Sequence, residues 1–406
     1  MKTIYMNALF TLFFVLFKLQ IVDSHWKWHD FWDNDSSSSL SSNEEQQYKP
    51  KSVHSKPKIR EERRTLDQLY AAALKEGGRV IVYAGGDTAG QLDWTKMAFE
   101  RRFPNITMDV VVDYSKFHVP RIDYQLAKRS LVPDVVQLQS LHEFPRWKEM
   151  GVLMPYKPAG WNAIYKDYRD SDGYFTGIVV FSFSNVVNSR LVPNQSEWPR
   201  EAADYLKPQF AGKKLVITYP TDDDAVLFWF KQVVDKYGLE WVIKLAKQEP
   251  IWVRGTEAPA DLVENGTALA TMSTVGLLIP DNTTVSRFVL PKKDPFVVWA
   301  QQAAIFKDAK HPEAAKLYMN WSLDKKSQAN QWSFFWSVRT DVPAPAGYRR
   351  SWEYPHLTSH KAFADFLEDR EAAERFRHQL FLFLGEAQGP PSPGYPGIFP
   401  DKALPH

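Results

Sequence analysis

Short clusters of glycine, aspartate, serine and threonine follow several apolar runs in this sequence. Residues 85–88 read Gly-Gly-Asp-Thr and residues 220–223 read Pro-Thr-Asp-Asp. Their hydroxyl and backbone N–H groups suit an oxyanion, whereas their aspartates suit a cation or an amine. We therefore predict a site for a small polar ligand, formed by these two clusters and three further loops. Its candidate residues are Gly85, Gly86, Asp87, Thr88, Ser140, Thr221, Asp222, Thr256, Ser273 and Thr274.

The same residue types are those that turns and helix caps require. For any one of these residues, a turn or cap role is the simpler interpretation. The whole set favours binding, because ligands of open α/β sheets lie beyond the carboxyl ends of the strands. Loops and helix N-termini expose unpaired N–H groups there.

The sequence carries no motif typical of a hydrolase. It contains no cysteine, which excludes a cysteine nucleophile, thiolate metal sites and a lipid-modified N-terminal cysteine. A Gly-x-Ser-x-Gly elbow and a His-Glu-x-x-His zinc motif are also absent, and His142, His311 and His356 are isolated. We predict a protein that is not an enzyme and has no cofactor, and metal binding is left open. The alternative is that the same fold serves a secreted enzyme, or an interaction or effector protein.

Composition also narrows the choice of partners and of compartment. Acids and bases are nearly balanced, with a net charge of +2. A surface for nucleic acid or an anionic membrane needs a marked basic excess, so neither is predicted as a partner. Residues 1–24 are predicted to be a signal peptide, because Lys2 precedes an apolar run too short to span a bilayer. Residues 25–64 are polar without an apolar period and are predicted to be a disordered leader.

The elements that would position the clusters alternate between helix and strand. Apolar residues at helical spacing predict a helix after Thr65, and residues 80–83 predict a buried strand. Such alternation implies parallel βαβ units, with helices on both faces of the sheet. Further strands are predicted at 108–112 and 133–138, and helices at 122–131 and 140–150.

A long β-prone segment, residues 174–184, interrupts this alternation. A second α/β region then opens at residues 214–219 and includes a strand-like run at 269–273. An extended run at 285–298 would carry the chain back to the first region. Helices are predicted at 226–237, 240–247, 312–323 and 360–384.

Four short motifs stand in a characteristic order. They are Lys-Glu-Gly at 75–77, Pro-Asp-Val-Val at 133–136, Gly-Lys at 212–213 and His-Pro-Glu-Ala-Ala at 311–315. Together they resemble the type II periplasmic (extracellular) solute-binding proteins. The similarity is greatest to the iron(III)/thiamine/phosphonate-like substrate-binding components of ABC transporters, and it extends over residues 65–340.

This resemblance implies a periplasmic-binding-protein-like type II fold, with two α/β lobes joined by two crossing strands. Residues 65–182 plus 287–400 would form lobe one and residues 186–284 lobe two, closing around the ligand by hinge motion. The implied function is non-catalytic extracellular binding of a small polar solute or metal chelate by a monomer, as in transport. Iron(III) relatives commonly use two adjacent tyrosines, and no Tyr-Tyr pair occurs here. The family name therefore does not identify the solute.

Sites for N-glycosylation are unusually frequent. The surplus of Asn-x-Ser/Thr triplets predicts a secreted glycoprotein of a eukaryotic secretory pathway, for which a bacterial-style membrane transporter is an uncertain partner. The predicted sites are Asn105, Asn194, Asn265, Asn282 and Asn320.

Overall fold

The structure is a computed structural model that describes residues 59–330 and 334–389. The described residues all belong to one compact unit. The predicted signal peptide and most of the predicted leader lie outside the described residues. The residue bounds of the two predicted lobes therefore stay a prediction.

The last residues of the predicted leader contact the folded body. Glu61 forms a β-bridge with Lys157, and the Glu62 N–H donates to the Lys157 carbonyl over 2.8 Å. The Arg64 guanidinium lies 2.7 Å from Glu62 and 2.6 Å from Glu313. The prediction of a disordered leader is therefore wrong for residues 61–64. Ion pairs and backbone hydrogen bonds hold this segment, and such contacts produce no apolar period in the sequence.

Ten strands occur in the described residues. Their bounds are β1 (Arg79–Gly85), β2 (Thr107–Asp113), β3 (Val135–Leu138), β4 (Thr176–Phe183), β5 (Asn185–Asn188), β6 (Val216–Thr218), β7 (Ile251–Val253), β8 (Ala270–Thr271), β9 (Ser286–Val289) and β10 (Val297–Ile305).

Eleven α-helices occur in the same part of the chain. Their bounds are α1 (Leu66–Lys75), α2 (Asp93–Arg102), α3 (Ser115–Ala127), α4 (Glu143–Glu149), α5 (Asp224–Tyr237), α6 (Leu239–Lys247), α7 (Ala258–Glu264), α8 (Pro312–Leu323), α9 (Lys325–Asn330), α10 (His360–Glu368) and α11 (Arg370–Leu384).

Five strands form the main sheet, in the order β2-β1-β3-β10-β4. Strand β1 pairs in parallel with β2 and β3, as the alternation of elements predicted. Strand β10 is antiparallel to both β3 and β4, because the chain returns to this sheet from the opposite direction. All nine residues of β10 are buried. Its second half showed no period of two in the sequence, and the prediction ended that strand at residue 298.

The segment from β5 to β9, residues 185–289, is called the inserted region here. It contains a three-stranded antiparallel sheet, β8-β5-β9, and a parallel pair, β6-β7. The long β-prone segment predicted at 174–184 contains β4, which ends at Phe183 in the main sheet, and β5 starts directly after the segment, at Asn185, in the inserted region. Strands β9 and β10 make the return connection. These are the two crossings expected of the type II fold.

The C-terminal helices contact both parts of the molecule. Helix α10 packs against β10 of the main sheet and α5 of the inserted region, and α11 packs against α6. The predicted single helix at 360–384 is two helices, because the Asp369 side chain accepts a hydrogen bond from the Ala372 N–H and starts a new helix. The assignment of residues 287–400 to lobe one remains a prediction, since these helices contact the inserted region as well.

Three motifs that carried the resemblance meet at the amino end of the main sheet. Asp134 is fully buried, and its carboxylate accepts hydrogen bonds from the Ile81 N–H at 2.8 Å and the His311 N–H at 2.9 Å. The His311 Nδ1 atom lies 2.8 Å from the same carboxylate. Glu76 accepts hydrogen bonds from the N–H groups of Glu313 and Ala314, at the start of α8. These motif residues therefore attach α8 to the sheet and lie at its end far from the carboxyl ends of the strands.

One predicted glycosylation site is incompatible with the fold. Asn320 lies on α8 and is only 4% exposed. Its amide nitrogen donates to the Tyr156 hydroxyl at 2.5 Å and to the Lys316 carbonyl at 2.8 Å, and its oxygen accepts from the Ala159 N–H. The prediction of a glycan at Asn320 is therefore wrong, because helix packing encloses the atom that would carry it.

No helix within the described ranges is long and apolar enough to cross a membrane.

Candidate functional site

A cavity of about 140 Å³ lies where the carboxyl ends of β1 and β3 face the inserted region. The loops after β6 and β7 form the opposite wall, and residues of β4 and β10 line the base. This is the position that ligands occupy in open α/β folds. Six of the predicted residues line it, namely Gly85, Gly86, Asp87, Ser140, Asp222 and Thr256.

The other four predicted residues lie around this cavity without lining it. Thr88 donates to Glu257 across 3.0 Å, and Thr274 donates to the Thr256 carbonyl. Ser273 is fully buried and accepts the Thr218 N–H. The Thr221 hydroxyl is buried and has no hydrogen-bond partner within residues 59–330 and 334–389. Whether any of the ten residues binds ligand stays a prediction.

Asp87 joins the main-sheet side of the cleft to the inserted region. Its Oδ2 atom accepts hydrogen bonds from the Thr256 N–H at 2.6 Å, the Thr256 hydroxyl at 2.8 Å and the Glu257 N–H at 2.8 Å. Glycine at position 85 lets the Ser115 hydroxyl lie close to the end of β1, because a Cβ atom there would lie 2.3 Å from that hydroxyl. Gly255 has a φ of +75°, a left-handed conformation that glycine adopts most easily.

Further hydrogen bonds cross the cleft beside Asp87. The Lys116 ammonium lies 2.7 Å from Asp222 Oδ1, and it also donates to the Asp222 carbonyl. The Gln139 amide donates to Asp223 Oδ2 at 3.1 Å. Arg254 holds Asp222 from within the inserted region, at 3.0 Å. The two walls are thus held together by the protein's own polar groups.

The carboxylates of the cleft differ in their protonation chemistry. The pKa of Asp223 is raised to about 6, mainly by burial and in part by the neighbouring charges of Asp224 and Asp87, against hydrogen bonds that lower it. Burial likewise raises the pKa of Asp87. Burial alone would raise the pKa of Asp222, but Arg254 and Lys116 lower it below its ordinary value.

Aromatic rings from β4, β10 and the segment after α9 line the base of the cleft. Phe181, Trp299 and Phe335 belong to the lining, with the Phe181 and Phe335 ring centroids 5.0 Å apart. The Trp299 N–H donates to Gln301, the next residue on the same face of β10. The sequence did not predict this aromatic wall or Lys116, whereas Gln139 precedes the predicted Ser140 at the same strand end. No local pattern signalled this wall, because every residue of β10 is buried.

Metal ligands are sparse in the described part of the chain. No group of three or more His, Cys, Asp or Glu side chains there is arranged to hold an ion. Metal binding was left open by the sequence and is not assigned to any residues here.

The sheet topology, its two crossings and the cleft between the sheets define a type II periplasmic-binding-protein-like fold. A family model for bacterial extracellular solute-binding proteins matches residues 95–357. The chain belongs to this family, whose members bind solutes. The match covers most of the cleft but starts after β1 and Asp87. No curated protein matches the chain in sequence.

Solved structures of bacterial binding proteins share the fold. Iron-bound HitA from Pseudomonas aeruginosa has a TM-score of 0.56 at 17% identity and covers 74% of this chain and 99% of its own. AfuA from Actinobacillus pleuropneumoniae, with exogenous fructose-6-phosphate bound, has a TM-score of 0.59 at 14% identity, covering 76% and 98%. An ABC-transporter substrate-binding protein from Agrobacterium tumefaciens has a TM-score of 0.60 at 15% identity, covering 75% and 94%. At such identities the likeness establishes the fold alone.

Proposed function

We propose that the protein binds a small polar solute or metal chelate, without catalysis and outside the cell, in the cleft between the main sheet and the inserted region. The observation that carries the proposal is the cavity of about 140 Å³ at the carboxyl ends of β1 and β3. Family membership supports the same role. The cavity also favours solute binding over an interaction protein whose pocket has closed.

The chemistry of the lining supports binding without catalysis. No histidine lines the cavity among the described residues, so a hydroxyl there lacks the usual general base. The Ser115 hydroxyl instead accepts a hydrogen bond from the Gln139 N–H at 3.0 Å. His118, on α3 nearby, is fully buried beside Arg121, and burial lowers its pKa to about 3, with the neighbouring Arg121 charge lowering it too. It is therefore neutral at physiological pH, and it is not one of the residues that line the cavity.

Secretion with glycosylation is part of the proposal. The remaining predicted sites in the described chain, Asn105, Asn194, Asn265 and Asn282, are all exposed and lie outside the cavity lining. Glycans at these positions would leave the cleft open. Loss of mass on treatment with a glycosidase, in protein secreted from eukaryotic cells, would test this point.

Thermal denaturation with a panel of solutes tests the binding function. HitA was solved with iron and AfuA with fructose-6-phosphate, so the panel contains ferric citrate and fructose-6-phosphate as well as phosphate, sulfate, thiamine and primary amines. A ligand that binds only the folded state raises Tm, by an amount that grows with its concentration. We expect at least one solute to do so and Gln301→Ala, in the cleft, to weaken its effect. No shift with any solute would contradict the proposal.

A further inference from the structure

The best anion-binding groups of the cleft are already occupied by the protein itself. The N–H groups of Thr256 and Glu257 and the Thr256 hydroxyl converge on one oxygen of Asp87, at 2.6 to 2.8 Å. Three convergent donors of this kind are what a phosphate, sulfate or carboxylate ligand needs. A solute oxyanion would have to displace Asp87 and leave that carboxylate buried beside it.

The cations of the cleft are also occupied. Lys116 and Arg254 both bind Asp222, and Arg377 binds Asp224 at 2.5 Å. These three basic side chains are therefore already paired with aspartates and are not available to bind an anionic solute.

Two carboxylates of the lining, by contrast, are bound only by uncharged donors among the described residues. Asp223 accepts hydrogen bonds from the N–H groups of Ala225 and Val226 and from the Gln139 amide. Asp87 accepts its hydrogen bonds from Thr256 and Glu257 through Oδ2 alone. Two carboxylates without a basic partner give the cavity an excess of negative charge, and a solute cation would compensate it.

The base of the cavity offers a surface for the rest of such a cation. Phe181, Trp299 and Phe335 present aromatic rings to the same space as the two carboxylates. Aromatic faces attract cations and also bury apolar groups. The volume of about 140 Å³ is close to that of an apolar protein cavity of roughly 150 Å³ that accepts benzene.

We infer that the cleft selects a compact organic cation, a protonated amine carrying an apolar group, and rejects oxyanions because Asp87 fills their place. The inference rests on the proposed function, since it names the solute class for the same cleft. Benzylamine is the probe, because it combines an ammonium group with one ring.

Calorimetric titration of the full chain with benzylamine and with inorganic phosphate tests the selection. We expect heat from benzylamine and none from phosphate. Asp223→Asn removes one negative charge while keeping the size of the side chain, and we expect it to weaken benzylamine by roughly tenfold, the effect of losing a hydrogen bond to a charged group. The matched control is Asp235→Asn on the exposed face of α5, which pairs with Lys231 outside the cavity and should leave the affinity unchanged.

Asp87→Ala gives a second and opposite readout. The variant frees the Thr256 and Glu257 donors, so we expect it to gain phosphate binding that the natural chain lacks. Should the variant not fold, which circular dichroism would reveal, Asp87→Asn removes the charge alone and should weaken benzylamine by roughly tenfold as well.

The outcomes separate this inference from the proposed function. Phosphate or fructose-6-phosphate binding to the natural chain, with no effect of benzylamine, would overturn the selection for cations and leave solute binding in place. Benzylamine binding that is insensitive to both Asp223→Asn and Asp87→Asn would also overturn it. Silence of every probe, in calorimetry and in thermal denaturation, would count against both.

Discussion

Two aspartates at opposite ends of the main sheet accept similar sets of hydrogen bonds and do different work. At the amino end, Asp134 is fully buried and accepts hydrogen bonds from Ile81 in β1 and from His311, the residue that precedes α8. At the carboxyl end, Asp87 binds Thr256 and Glu257, which belong to the inserted region. The first carboxylate fastens a helix to its own sheet, whereas the second spans a gap between two parts of the chain. Position in the sheet therefore decides the role of the carboxylate.

The comparison also explains why the resemblance was informative about fold and silent about ligand. Glu76, Asp134 and His311 belong to the motifs that carried the resemblance, and all three lie at the amino end of the main sheet. They fix the attachment of α8, a requirement that does not depend on which solute is bound. The carboxyl end carries the residues that would depend on the solute.

The largest effect is expected at the amino end of the sheet. Asp134→Ala leaves the Ile81 and His311 N–H groups without their acceptor in a fully buried setting. We expect the free energy of unfolding, measured by urea denaturation, to fall by about 3 kcal/mol. Asp109→Ala is the control, because its ion pair with Arg79 is partly exposed, and exposed pairs contribute only about 0–1 kcal/mol. Equal losses in the two variants would break the comparison.

A smaller loss of stability, with a change of shape, is expected at the carboxyl end. In Asp87→Ala, water in the cleft can bind the freed N–H groups of Thr256 and Glu257. We expect the free energy of unfolding to fall by about 1–2 kcal/mol. We also expect the radius of gyration in small-angle X-ray scattering to rise, because one cross-cleft connection is lost, whereas Asp134→Ala should not increase it in its folded state. A reversed pattern would show that Asp87 is only a local turn residue.

The smallest expected effect is a pH dependence at Asp223. Its pKa is raised from the ordinary 3.8 to about 6 by burial, with Asp224 and Asp87 as the charged neighbours that add to the shift. Because the folded state holds this proton more tightly than the unfolded chain, Asp223 contributes stability at low pH that is lost as the pH rises through about 6. We expect the natural chain to lose about 1 kcal/mol more than Asp223→Asn between pH 4.5 and about pH 7, as measured by urea denaturation. Parallel pH profiles for the two proteins would refute this assignment.

Most helices and strands followed from local pattern. The bounds of α8 match the prediction at residues 312–323, and β3 lies within the strand predicted at 133–138. Helix α3 begins at Ser115, well before the predicted residue 122, because Pro120 lies inside the helix and interrupted its pattern. Strand β10 was predicted only in part, since a strand buried on both faces shows no alternation.

The candidate site followed from the sequence only in outline. Loops after strands pointed to Asp87 and Asp222, because turn residues at strand ends are visible in one dimension. Lys116 and Trp299 were missed, since one lies in a helix and the other in a buried strand, where a packing role is the ordinary one.

The sequence by itself determined the elements, their order and the residue types at the strand ends, because periodicity and turn chemistry act over neighbouring residues. The tertiary structure alone decided which of those ends face one another. Asp87 and Thr256 are separated by 169 positions, and their hydrogen bond exists only because β4–β5 and β9–β10 carry the chain out of the main sheet and back. The charge of the cleft depends in turn on which carboxylates find a basic partner, and that is fixed by folding in three dimensions.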